Sequence, residues 1–177
     1  AGEWPWLAGA ILFGGVLGPI ALMVGLQHTA GSTASLLLNL EAVLTAVLAW
    51  VAFKENAGRR VVAGMLAIVA GGVILSWPVE GAAKPALGWG AGLIVLACLC
   101  WAIDNNLTRK VSASDALFIA GSKGLVAGCV NVTLALGLGA AWPALPTTLG
   151  AMVVGLLGYG LSLVLFVLAL RGLGAAR

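Results

Sequence analysis

The chain has 177 residues, 62% of them apolar and only 8% charged, with a mean hydropathy of +1.11 and a formal charge of +3. Soluble domains carry about 25% charged residues, so an aqueous globular fold is excluded and a bilayer is the expected solvent. The modest positive charge calls for no nucleic-acid partner, because the basic residues fall between the apolar runs.

From Pro5 to Phe53 the only formal charge is Glu41. A spanning helix takes roughly 20 mostly apolar residues. The block therefore holds two spans, Trp6–Leu26 and Thr33–Phe53, around the polar break Gln27-His28-Thr29. In the first, Pro19 frees a backbone carbonyl and is expected to kink the helix. Gly14-x-x-x-Gly18 offers a face for close packing. His28 reads as a solvated loop histidine.

The second span contains SLLLNLEAVLTAVLAW, with Glu41 near its middle. A charged side chain at a helix centre costs roughly 2.5–3.5 kcal/mol on insertion scales, and such residues face a cavity or a partner. Helical spacing puts Glu41 on one face with Ala34, Thr45 and Leu48, and Asn39 nearly opposite. Two readings of Glu41 stand: it binds substrate or a proton, or it makes a structural ion pair or a protonated hydrogen bond.

Further spans are expected at Val61–Trp77, Leu87–Leu107, Ala116–Leu138 and Thr148–Leu170, six in all. They are apolar on every side, unlike the alternating strands of outer-membrane barrels. The fold class is therefore all-α, a polytopic membrane helix bundle. The fourth span ends in Trp101-Ala102-Ile103-Asp104-Asn105-Asn106. Three successive polar residues sweep about 200° of a helix, so at least one faces the bundle; Asp104 otherwise meets Arg109, Lys110 or lipid headgroups. The fifth span carries Lys123 at about the depth of Asp104, together with Gly124-x-x-x-Gly128 for packing. Pairing with Asp104 or Glu41 is the favoured reading of Lys123, since it is the cheapest way to keep a lysine there. Asn131, deeper in the same span, is expected to make an interhelical hydrogen bond.

Cys98, Cys100 and Cys129 lie within spans and lack metal-ligand spacing; buried, reduced thiols are expected, and no cofactor. Neither His-Glu-x-x-His nor Gly-x-Ser-x-Gly occurs, which argues against an intramembrane enzyme.

Basic residues set the topology. Lys54, Arg59, Arg60, Arg109, Lys110, Arg171 and Arg177 fall on one side, and only Lys84 on the other. By the positive-inside rule, segments 54–60 and 108–115 and the C-terminus are cytoplasmic, in what is expected to be a bacterial inner (plasma) membrane. Trp4, Trp6, Trp50, Trp77, Trp89 and Trp142 lie near span ends, as in an aromatic belt. Trp101 lies deeper and needs another account. The chain starts at Ala1 rather than Met and stops at Arg177, one short polar step after a span, so a fragment of a longer membrane protein is expected.

A short internal match links the first and sixth spans. Gly15-Val16-Leu17-Gly18 parallels Gly155-Leu156-Leu157-Gly158, and Gly25-Leu26-Gln27 parallels Ala169-Leu170-Arg171 after a four-residue offset. The two spans cross in opposite directions, which is the pattern of an inverted repeat in secondary transporters.

The segment from Thr29 to Trp77, ASLLLNLEAVLTAVLAWVAFKEN followed by GMLAIVAGGVILSW, resembles the EamA module of the drug/metabolite transporter superfamily. Small residues and Ala-Ser-Leu-Leu open the pattern, an apolar helix ends in Lys54-Glu55, and a Gly-rich helix follows. The later CWAIDNNLTRKVSASDALFIAGSKGLVAG resembles the start of a second module. The resemblance implies ten spans in two inverted modules of five, of which this chain is similar to the third to eighth. Residues 1–78 would then be the last three helices of one module, and 86–177 the first three of the next. The family often has a proline where this chain has Glu41-Ala42, so the kink it produces is not expected here.

The resemblance further implies a secondary permease or exporter of small polar metabolites working by alternating access. Glu41, Trp101, Asp104, Asn105 and Lys123 are the candidate substrate- or proton-binding residues. Protons, the lipid bilayer and a second copy in a homodimer are the expected partners beside the substrate. The alternative is a membrane assembly or interaction subunit with no transport activity of its own.

Overall fold

A computed structural model of the chain describes residues 2–55, 58–75 and 88–173. Its described elements are all helical: α1 (Trp4–Leu26), α2 (Gly31–Val51), α3 (Arg59–Leu75), α4 (Trp89–Val111), α5 (Ala116–Gly137) and α6 (Leu145–Leu173). All but α3 are long and apolar enough to cross a membrane, so the chain is an integral membrane protein. The expected end of the third span at Trp77, together with Lys84 and Arg177, lies outside the described residues.

Two boundaries differ from expectation. The fourth span runs on to Val111 instead of stopping at Leu107, because Thr108 is buried and Arg109 and Lys110 occupy the last turn, where cations suit the helix dipole. Asp104 therefore lies about two turns inside the helix, not at its end. The sixth span begins earlier, at Leu145, with Pro146 in its first turn, where a missing N–H costs nothing.

The central element is α4, which packs against α1, α2 and α6, while α5 packs against α1 and α6 and α3 lies along α2. Much of the core is built of small residues, with Ala10, Ala34, Ala49, Ala91, Ala97 and Ala102 all buried. Small side chains let helix backbones approach where lipid offers no hydrophobic drive. The antiparallel α1–α4 contact shows this most clearly. A Cβ at Gly18 would lie 2.7 Å from the Trp101 indole nitrogen, and one at Gly25 would lie 2.8 Å from Ile94. At Gly14 it would collide with the Asp104 carboxyl group. The glycines of α1 thus leave room for the large and charged residues of α4. Gly124 and Gly128, expected to serve packing, face nothing within 4 Å in this chain.

One end of the bundle is closed by Leu7, Val111, Ala116, Ile119 and Val167, contributed by four helices. On α5 the inward stripe is Ala116, Ile119, Ala120 and Lys123. Cys129 falls off that stripe and is exposed, contrary to the expectation of a buried thiol, whereas Cys98 and Cys100 are buried.

Three helices are irregular. Asn39 interrupts α2 between Leu38 and Leu40. Its N–H bonds the Leu36 carbonyl at 3.2 Å and its amide bonds the Ser35 carbonyl at 3.1 Å. An asparagine competes with the helix ladder in this way, so α2 breaks just before Glu41 although it lacks the family's proline. Helices α1 and α6 each contain a seven-residue π-helical segment, Ile11–Leu17 and Gly155–Leu161. The two align with each other in the register that matches Gly25-Leu26-Gln27 to Ala169-Leu170-Arg171.

Candidate functional site

Pro19 has no N–H to give, and Gly18 donates to the Phe13 carbonyl in π register. The Gly14 and Gly15 carbonyls consequently lose their helical donors. Two side chains take their place: Trp101 Nε1 donates to the Gly14 oxygen at 3.1 Å, and Asn131 Nδ2 donates to the Gly15 oxygen at 2.7 Å. Trp101 is thereby explained, and Asn131 makes its interhelical bond to a backbone group. In α6 the Ser162 hydroxyl bonds the Gly158 carbonyl at 2.6 Å, so that irregular turn is satisfied from within its own helix.

Further along α4, Lys123 Nζ lies 2.5 Å from Asp104 Oδ1 and 2.9 Å from Thr108 Oγ1. Thr108 in turn donates to Asp104 Oδ1 at 2.8 Å. All three are buried. Taking two charges out of water costs several kcal/mol per ion, and the threonine hydroxyl helps to meet that cost by serving both partners. Asp104 pairs with Lys123 and not with Arg109, whose partner is Glu55.

Glu41 is held differently. Asn105 Nδ2 donates to Glu41 Oε1 at 3.0 Å and lies 3.2 Å from Thr45 Oγ1, one helical turn beyond. Asn106, buried, ties the same helices together by donating to the Thr45 carbonyl at 3.1 Å. No cation pairs with Glu41 among the described residues. Asn39 is exposed and bonds only its own helix, apart from the site.

These groups open on a cavity of about 420 Å³ between α2, α4 and α6. Four of the five expected site residues, Glu41, Trp101, Asp104 and Asn105, line it. Lys123 does not; it stands behind Asp104 and neutralises it. The opposite wall comes from α6, with Tyr159, Ser162 and Phe166. Sequence reasoning missed these three, although Tyr159 is the chain's one tyrosine and stands deep within an apolar run.

The charge balance of the cavity is simple. Lys123 cancels Asp104, which leaves Glu41 as the one acidic group at the wall with no cation paired to it among the described residues. Around it are an amide, a hydroxyl and the rings of Trp101, Tyr159 and Phe166. A carboxylate attracts a cation, and aromatic faces stabilise one by cation–π attraction. Among the described residues no group of three His, Cys, Asp or Glu gathers to hold a metal.

Comparison with known proteins places this geometry in context. Residues 1–77 match the EamA-like transporter family. An uncharacterized transporter of Methanothermobacter thermautotrophicus is 31% identical over 170 residues, an alignment that takes in 91% of this chain and 48% of the relative. The chain thus spans about half the length of the curated relative it matches. No solved structure matches the chain.

Proposed function

We propose that this chain, which belongs to the EamA-like transporter family, forms the substrate-binding part of a secondary transporter for small organic cations. The family points to transport and not to catalysis. The observation that carries the reading is Glu41, unpaired with any cation among the described residues, in a cavity walled by Trp101, Tyr159 and Phe166. A protonated amine fits that wall: it pairs with the carboxylate and lays its apolar part against the rings. Protons compete for the same carboxylate, so proton and cation can be exchanged at one site.

Alternating access needs elements that bend around the site. The broken α2 and the matched π segments of α1 and α6 lie at or beside the cavity wall. Their shared register supports an inverted-repeat plan in which α1 and α6 are equivalent helices of two modules, divided between residues 78 and 86. The seven basic residues on one side support a cytoplasmic placement for that end.

The test uses the complete protein in proteoliposomes. Uptake of labelled primary and quaternary amines is compared with uptake of neutral compounds of the same shape. Preference for the cations, lost in Glu41→Gln, is expected. Equal uptake of the neutral compounds contradicts the proposal.

A further inference from the structure

A second cavity, of about 730 Å³, lies at the end of the bundle where α2, α4 and α6 finish. Its lining shares no residue with that of the Glu41 cavity. Its wall carries Lys54, Arg109, Lys110 and Arg171 against one carboxylate, Glu55. The four cations come from three segments far apart in sequence. Positive-inside topology accounts for basic residues on this side of the membrane, but not for their convergence on one hollow.

Two of these cations are occupied with the protein. Arg109 pairs with Glu55, and Arg171 donates at 2.5 Å to the carbonyls of both Ser112 and Ser114. They brace the wall. Lys110 lies 5.3 Å from the centre of the Phe53 ring, which holds its ammonium at the cavity; among the described residues no hydrogen-bond acceptor engages it. Lys54 is the telling residue. It has φ +55°, the left-handed conformation that glycine takes freely and a lysine does not. The Glu55 N–H bonds the Ala49 carbonyl across it at 2.9 Å, so Lys54 turns the chain back on the end of α2, two residues past its C-cap Ala52. Residues held in that region cluster at ligand clamps and binding sites.

We propose that this cavity binds the phosphate group of an acidic phospholipid through Lys54 and Lys110. A phosphate ester is the shared chemistry, and the apolar side chains at the rim, Phe53 and Leu173, favour a lipid over a free ion. Basic pockets between spanning helices hold acidic headgroups by the same combination of charge and apolar contact.

Native mass spectrometry of the full chain, released from micelles, tests this. Phosphatidylglycerol and phosphatidylcholine are titrated separately, and inorganic phosphate is added as a competitor. One phosphatidylglycerol is expected to bind in preference to phosphatidylcholine. The double variant K54G/K110Q should weaken it by roughly tenfold or more, at about 1 kcal/mol per lysine. Because glycine suits the backbone at position 54, K54G alone should keep or raise the unfolding temperature, which separates lost binding from lost folding. Equal binding of the two lipids, or unchanged binding in the folded double variant, overturns the proposal. Displacement by phosphate at concentrations comparable to the lipid overturns the lipid assignment in favour of a soluble phosphate ester.

Discussion

Asp104 and Lys123 form a buried ion pair bridged by Thr108, and this pair decides which carboxylate of the cavity is free to bind. Both Asp104 and Glu41 reach the wall. Among the described residues, only Glu41 does so without a cation of its own.

Removing one partner of the pair leaves an uncompensated charge in a dry interior. Lys123→Met should destabilise the protein by about 3–5 kcal/mol, whereas Asp104→Asn combined with Lys123→Met should recover most of that loss. Denaturant unfolding in detergent, read as a double-mutant cycle, measures the coupling. Additive losses would contradict the pairing.

Gly14 faces the Asp104 carboxyl group with no room for a methyl. Gly14→Ala should push Asp104 away from Lys123 and cost about 1–3 kcal/mol through overpacking. Gly124→Ala, facing open space in this chain, should cost far less. Unfolding midpoints of the two variants check the contrast.

Asn131 compensates for Pro19. Alone, Asn131→Leu leaves the Gly15 carbonyl without a donor and should cost about 1 kcal/mol. In a Pro19→Ala background, the restored N–H at position 19 can serve that carbonyl in α-helical register, so the same substitution should cost measurably less. Equal costs in both backgrounds would show that the Gly15 carbonyl is not what Asn131 serves.

The membrane class and the helices were legible because long apolar runs leave no other fold, and short polar breaks divide them. Glu41, Asp104 and Asn105 were legible for the same reason: hydrocarbon rejects them, so each had to find a partner or a cavity. Which of the two it found was not legible. That Lys123 answers Asp104 and leaves Glu41 free depends on how α5 is rotated against α4, and helical spacing within one span says nothing of it. Tyr159 and Phe166 escaped notice because an aromatic in an apolar run looks like any lipid-facing residue. The break at Asn39 was missed since the resembled family's proline was absent and the asparagine was read only as lying on the face opposite Glu41. Pro19 announced a freed carbonyl, but the identity of its donors, Trp101 and Asn131, required the fold.

The most direct measurement is the pH profile of cation uptake by the complete protein, with and without Glu41→Gln. Wild-type uptake should vary with pH as protons and substrate compete for the carboxylate. Glu41→Gln removes a charge-assisted contact of roughly 1.5–3 kcal/mol, so uptake should fall by about tenfold or more and lose its dependence on pH. Unchanged uptake and an unchanged pH profile in that variant would contradict the assignment of Glu41 as the binding carboxylate.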